Sequence, residues 1–495
     1  MRNLTFVAAI LACLVAPAAA QTAKQVLTID APNDAATLDP HLQWDTDSYG
    51  VYRNIFDNLL ARDAAGKIVP QIATAWRFVD DTHAEFDIRP DVKFQDGTPL
   101  SAEDVVFSIK RITNPAFKSP QLSQFDQIAD AQALGPTKVG LTMKTPYPVL
   151  LAQLVKLSIV PKAYVERVGD QAFNLKPLGS GPYKLREWQK GVAVTLDANA
   201  SYWRGKPPFR TVIFRAVPDV STRVADLKTG RADLIRLLPP DEAIALKSDA
   251  RLAVLTVPTE RVGYLSINAQ AGPTADVRVR RAIAHAIDKQ GLVDALLQGF
   301  GKPVNSIGAE PIFGYLPDIA GYDYDLAKAR ALIKDAGVEG AAITFLTSPA
   351  FDRRVVEAIQ QMINDVGLRV EVVTFDHATF LRHRQGTPAD AGNLAHGVWS
   401  CACQDADGTI FPLFRSGSTW SKYSNPAYDA AVDAARSTLD EAKRLAEYRK
   451  AYEILREEVP GLGLYQVFAS YGARKELKWQ PTPNESLFVM DMSWQ

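Results

Sequence analysis

The sequence predicts an α/β protein of two or three domains, and three observations carry that prediction. Val212-Ile213-Phe214, a helix opened by Ser221 and closed by Gly230, and then Ala232-Asp233-Leu234-Ile235 read as a strand–helix–strand crossover, the unit from which parallel α/β sheets are built. A second such series has strands at Ile343–Leu346 and Val370–Thr374 around a helix at Arg353–Val366. The chain has 495 residues, 47% of them hydrophobic and 22% charged, an ordinary globular composition long enough for more than one core.

At the N-terminus, Met1-Arg2-Asn3 gives a short positive end and Leu4 to Val15 is almost wholly apolar. Pro17 breaks the run, and Ala18-Ala19-Ala20 offers small residues for cleavage before Gln21. This is the layout of a secretory signal peptide cleaved near Ala20, and the run is too short to span a bilayer. Ile10-Leu11-Ala12-Cys13 is loosely like a lipidation site, but the apolar stretch continues past Cys13, which fits simple cleavage better.

Val26-Leu27-Thr28-Ile29 then reads as a strand, Ala36 to His41 as a loop, and Asp47 to Leu60 as an amphipathic helix with Val51, Ile55, Leu59 and Leu60 inward. Ala84, Phe86 and Ile88 alternate with polar residues as in a strand, Asp96-Gly97 makes a turn, and Ser101 with Asp104 forms a capping box. Further on, Val277 to Leu297 and Leu326 to Ala336 read as helices, and Asn425-Pro426 caps the first of two more, at 427–438 and 441–458, split near Asp440.

The charge balance narrows the function. The net charge is -1, and Arg2 leaves with the signal, so the mature chain is near about -2 with the signs interspersed. Nothing here attracts nucleic acid or an anionic membrane. Of three cysteines, Cys13 lies in the signal, so Cys401 and Cys403 alone remain and no disulfide framework holds the fold. The sequence has no His-Glu-x-x-His pair, no Gly-x-Ser-x-Gly elbow and no phosphate-cradling glycine loop. His377 and His383 are six apart and do not share a helical face. The chain is therefore expected not to be an enzyme and to need no cofactor or metal.

Several stretches, in order, resemble one family. Thr37-Leu38-Asp39-Pro40-His41, Asn54 to Leu60, Ala73-Thr74-Ala75-Trp76 and Phe86 to Gly97 carry the likeness in the first third. Ser101 to Ser108, Gly179-Ser180-Gly181-Pro182-Tyr183, Ser201-Tyr202-Trp203 and Val279 to Ile283 extend it. Together they are similar to the family 5 extracellular solute-binding proteins of ABC importers, which include oligopeptide, dipeptide, nickel and opine binders. The resemblance implies a two-lobed periplasmic-binding-protein fold (type II, cluster C) with an extra domain inserted in the first lobe. Carried over, lobe one would hold 21–45, 175–262 and 475–495, the inserted domain 46–174, and lobe two 263–474. The chain would cross between the lobes near Glu260–Asn268 and near Ser470–Lys475.

The resemblance further implies a periplasmic monomer that closes on a small-molecule solute and delivers it to a two-permease, two-ATPase importer in the inner membrane. It implies a site in the stretch from Gly397 to Gly408. In peptide-binding relatives a tryptophan here is followed, three residues on, by an aspartate that pairs with the ligand's ammonium; Trp399 matches the tryptophan, and Ala402 takes the aspartate's place. An arginine that meets the ligand carboxylate in dipeptide binders falls on Leu346, with Arg353 and Arg354 later, on the helix. Both departures argue against an ordinary dipeptide and leave modified peptides, opine-like or sugar-derived solutes.

Expected ligand contacts are Trp399, Ser400, Cys401 and Ala402, with Arg415 and Trp420 on the same side. Gln43, Trp44, Asp45 and Tyr49 face them from where lobe one meets the inserted domain. Trp399, Trp44 and Tyr49 fit plain core packing as well. Cys401 and Cys403 are either buried thiols or a small-ring disulfide that rigidifies the loop, and two ligands are too few for a zinc site. Asp405 is read as a turn cap. Two rival functions remain, a secreted hydrolase and a sensory protein presenting its ligand to a receptor.

Overall fold

The computed structural model describes residues 24–43, 45–63, 66–401 and 403–495. The signal segment with Cys13, and the candidates Trp44 and Ala402, lie outside the described residues.

Strand β1 (Val26–Ala31) is buried along its length and pairs in parallel with two later strands. The loop after it is anchored by charge: the Asp39 carboxylate receives Arg111 Nη1 and Nη2 at 2.9 and 2.6 Å, and His41 Nε2 lies 2.9 Å from the Ser158 carbonyl. Helix α1 (Thr46–Tyr52) is shorter than the periodicity of 47–60 predicts. Asn54 ends it by turning its own amide back onto the Gly50 carbonyl at 2.9 Å, so a side chain competes with the helix ladder. Leu59 and Leu60 reach the core from an extended segment instead.

A separate four-stranded antiparallel sheet follows, built from β2 (Ala73–Asp80), β3 (His83–Ile88), β4 (Ile128–Gly135) and β5 (Lys138–Met143) in the order β2-β3-β5-β4. Helix α2 (Ala102–Thr113), capped as expected by Ser101 and Asp104, packs on it, and the buried residues between Leu59 and Ile159 form a core of their own.

The chain then returns to the main sheet. β6 (Tyr183–Gln189) and β7 (Ala193–Ala198) extend it antiparallel beyond β8 (Thr211–Ala216), which lies parallel to β1, and helix α3 (Val220–Thr229) leads to β9 (Leu234–Ile235) on the other side of β1. Gly230, at φ +78°, closes α3 in the left-handed conformation that glycine adopts without strain. β8, α3 and β9 are the predicted crossover, with β1 between its two strands.

The long strand β10 (Leu252–Ile267) leaves the first half and enters the second. There, α4 (Val277–Ala286) ends at Ile287, where the sequence predicts a helix to Leu297. Asp288 caps a new turn by accepting the Gly291 N–H at 2.8 Å, which restarts the backbone in another direction. Helix α5 (Leu326–Ala336) precedes the second series: β11 (Ala342–Thr347), α6 (Arg353–Asn364) and β12 (Arg369–Thr374). Strand β13 (Leu394–Trp399) joins parallel to β11, then come α7 (Asp407–Phe414), α8 (Pro426–Arg436) and α9 (Glu441–Glu458). Asn425 caps α8 as predicted, and Asp440, where the sequence splits the two helices, caps α9 by accepting the Lys443 N–H.

Strand β14 (Gly461–Arg474) carries the chain back. The sheet order is β12-β11-β13-β10-β14-β9-β1-β8-β7-β6, so one sheet runs through both halves, and β10 and β14 are its shared spine. Their pairing breaks register between Pro258 and Val262, opposite Phe468 and Gln466. On either side of that break the buried residues fall into different cores.

Candidate functional site

The halves meet at the register break. On the first half's side, Asp45 caps α1 by accepting the Asp47 and Ser48 N–H groups at 3.0 and 2.8 Å. The cap fixes the helix so that Tyr49 and, one turn later, Arg53 point the same way. Arg53 is buried, with Nε donating to Ser486 Oγ at 3.3 Å and the guanidinium 4.8 Å from the Phe488 ring centroid. Asn54 holds the C-terminal segment in place: its Nδ2 donates to the Leu487 carbonyl and its Oδ1 receives the Val489 N–H, both at 2.8 Å.

From a neighbouring hairpin, Arg62 donates Nη1 to the Gly66 carbonyl at 2.6 Å and Nη2 to the Cys403 carbonyl, in the other half, at 2.9 Å. Lys156 lies 5.8 Å from the Tyr49 ring centroid, and burial pulls its ammonium below the usual lysine value. On the crossing strand, Arg261 pairs with Glu485 at 2.8 Å. Glu260 beside it is buried, and burial raises its carboxyl above the usual range while Lys156 opposes that shift.

The second half contributes the loop from Trp399 to Gly408. Cys401 and Cys403 form a disulfide, which settles the two readings of these cysteines in favour of the small ring. Gly408 is packed beneath it: a Cβ there would lie 2.7 Å from Cys403 Sγ and would also meet Cys401 Sγ. Gln404 adopts φ +52°, and its carbonyl receives the Phe313 N–H at 2.9 Å. Asp405 does accept the Asp407 N–H at 3.0 Å, as a turn cap would. Its larger role is a buried pair with Arg444 Nη2, at 2.8 and 2.9 Å, reinforced by Tyr448 Oη at 2.7 Å.

Between these walls is a compartment of about 50 Å³, lined among others by Tyr49, Arg53, Arg62, Lys156, Gln404 and Phe488. In this arrangement of the halves that is room for a few waters, so a larger solute enters only as the halves move apart. Its lining carries three cations, Arg53, Arg62 and Lys156, against Asp63 and Asp491, and burial raises the Asp491 carboxyl above its usual value while Arg53 opposes that shift. Arg53 Nη1 is buried with no hydrogen-bond partner among the described residues.

Of the predicted contacts, Tyr49 lines this compartment and Asp45 supports it from the helix cap. Gln43 stands behind, its carbonyl receiving Tyr52 Oη and Gln121 Nε2, each at 3.0 Å. Trp399 spends its indole N–H on the Gly408 carbonyl at 3.0 Å and stacks edge-on with Trp420, centroids 5.5 Å apart, so both rings brace the loop. Ser400 is exposed and Cys401 half-buried in the same loop. Arg415 is engaged with Asp433 at 3.0 Å and with the Ser416 carbonyl, away from the compartment. Leu346 is buried on β11 against Phe380 and Ala395. Arg53, Arg62, Lys156, Gln404 and the C-terminal segment were not singled out from sequence; the four-residue step from Tyr49 to Arg53 was the one signal that could have found a member.

Among the described residues no group of three or more His, Cys, Asp or Glu is placed to hold a metal ion, and no helix is long and apolar enough to cross a membrane. What the walls offer is recognition: charged donors and acceptors at a junction between two bodies.

Residues 67–420 match the family described as bacterial extracellular solute-binding proteins, family 5 Middle. The chain belongs to that family. Family 5 solute-binding proteins are periplasmic transport binding proteins, not enzymes. Among curated relatives, this solute-binding protein is 29% identical over 449 residues to the glutathione-binding protein of Shigella boydii serotype 4 (strain Sb227), covering 86% of each chain. It is 28% identical over 455 residues to the dipeptide-binding protein of Escherichia coli (strain K12), covering 83% of each. Its fold matches that of NikA from Brucella suis in complex with Fe(III)-EDTA with a TM-score of 0.87 at 23% identity, over 95% of this chain and 100% of that one. The two-lobed family fold expected from the sequence is therefore the observed one.

Proposed function

We propose that this protein is the capture component of a bacterial importer and that its solute is a small polar molecule carrying a carboxylate, of the modified-peptide or opine-like class. One observation carries the ligand class: the Arg53 guanidinium is buried at the junction of the lobes with Nη1 unpartnered, in a lining where cations outnumber carboxylates. A carboxylate there gains a charge-assisted hydrogen bond to Nη1 that an uncharged sugar cannot match in strength. The relatives named for glutathione and for dipeptides favour a peptide-like acid. The sequence-based reading, that Ala402 and Leu346 lack the usual dipeptide anchors, directs the choice toward modified peptides.

In this reading the register break in β10 and β14 is the hinge, 46–174 is a domain inserted in the first lobe, and the segment before Gln21 is removed on export. The mature protein is a monomer that closes on solute and docks on a two-permease, two-ATPase importer. Closure is stabilised only by the solute's differential affinity for the closed state. The test is calorimetric titration with glutathione, γ-glutamyl dipeptides, opine acids, ordinary dipeptides and neutral oligosaccharides, followed by small-angle scattering. Acids of the first three kinds should bind and compact the particle, and Arg53→Met should abolish that binding. Binding of the oligosaccharides alone would overturn the ligand class.

A further inference from the structure

Two more polar atoms at the junction lack partners, and both are acceptors. Glu260 Oε2 and Gln404 Oε1 are buried with no hydrogen-bond partner among the described residues. Glu260 lies in the register break of the crossing strand, and Gln404 on the second-lobe loop, where its side chain lines the compartment. The Gln404 side chain is a hydrogen-bonding neighbour of the Glu260 carboxylate that, with the charge of Lys156, opposes the upward push of burial, and Glu260 Oε2 and Gln404 Oε1 are the acceptors left over. Arg62 also feels the Glu260 charge, but its Nη groups are given to the Gly66 and Cys403 carbonyls, and the Glu485 carboxylate repels Glu260. Arg261 is paired with Glu485, and Glu260 makes no ion pair within 4 Å with any described residue.

A buried carboxylate with one oxygen unpartnered is costly unless a donor, best a cation, reaches it. Ala402, in the loop, carries no group that could receive a cation. We infer that Glu260 is the residue that receives the solute's ammonium group, with Gln404 accepting a second N–H from the same nitrogen when the lobes close. This rests on the carboxylate-bearing solute proposed above and completes it: the solute is a zwitterion, its carboxylate on Arg53 and its amine on the crossing strand. Because Glu260 belongs to the spine and Gln404 to the second lobe, one ammonium bridges them only in the closed state. The same contact therefore selects the solute and favours closure.

The test compares free and N-acetylated forms of glutathione and of γ-glutamyl dipeptides by calorimetry, on the wild type, Glu260→Gln and Gln404→Leu. The wild type should prefer the free amine by a hundredfold or more. Glu260→Gln, nearly isosteric, should lose that preference, and Gln404→Leu should lose about tenfold on the free amine. Thermal unfolding without solute checks that both variants are folded. If wild type binds free and acetylated forms equally, or if Glu260→Gln keeps the full preference, the inference is overturned and the carboxylate reading stands. If the wild type binds none of these acids in either form, the carboxylate reading itself fails, and this inference with it.

Discussion

Arg62 reaches across the junction and donates Nη2 to the backbone carbonyl of Cys403 at 2.9 Å, so a hairpin of the first lobe holds the disulfide loop of the second. A hydrogen bond from a charged donor contributes about 1.5–3 kcal/mol. Arg62→Ala should shift the ligand-free protein toward open forms and weaken solute binding by about tenfold or more. Small-angle scattering should show a larger radius of gyration, and an unchanged radius would mean that other contacts set the closure.

The disulfide depends on the residue beneath it. Because a Cβ at position 408 would collide with both sulfurs, Gly408→Ala should hinder the ring or displace the loop, at a cost of about 1–3 kcal/mol. Labelling of thiols in the unfolded protein, before reduction, should reveal free cysteine in the variant and none in the wild type. Full oxidation at unchanged stability would show that the loop can move aside.

Asp405 and Arg444 form a pair with side chains 6% and 5% exposed. Removing one partner of a buried pair strands the other charge, which costs about 3–5 kcal/mol. Asp405→Ala should therefore lower the urea midpoint strongly, and a double change of Asp405 and Arg444 to apolar residues should recover part of the loss.

Acid titration has opposing contributors. His41 and His396 are buried and pushed down to about 4, both by burial first, with the Arg111 guanidinium adding to the effect at His41. Unfolded imidazoles take up protons near about 6.5. Between there and 4 the unfolded chain binds more protons, so stability falls as pH falls. Burial pushes the Asp407 carboxyl up to about 6, against the pull of Arg436 3.0 Å away. Between 6 and its unfolded value near about 3.9 the folded chain binds the extra proton and gains stability on acidification. Asp407→Asn removes the gain, so its stability should decline more steeply than wild type from pH 6 to 4.5 in chemical denaturation.

Much of the fold was legible in local chemistry. Ser101 with Asp104, Gly230, Asn425 and Asp440 each satisfy a helix end by themselves, so their neighbours in sequence suffice to read them. The strand–helix–strand series were legible for the same reason. The helix expected over 47–60 failed because Asn54 answers to Leu487 and Val489, which no local pattern reveals. The site was less legible still. Trp399 sits in the loop from β13, but whether its N–H faces a ligand or the Gly408 carbonyl is a matter of loop path. Arg53, Arg62, Lys156 and Glu260 look like ordinary surface charges in sequence. They acquire meaning only when α1, a hairpin, the crossing strand and the C-terminal segment converge.

Arg53 and Ser486, which together shape the compartment, are 433 residues apart. The wall they form cannot exist until the last stretch of chain has threaded back past α1. Contacts of such sequence separation form slowly, because the loop between them must be closed before they can stabilise anything. The separate four-stranded sheet and α2, whose contacts are local, can form early and wait. If this compartment is the solute site proposed above, competence to bind is among the last properties the folding chain acquires.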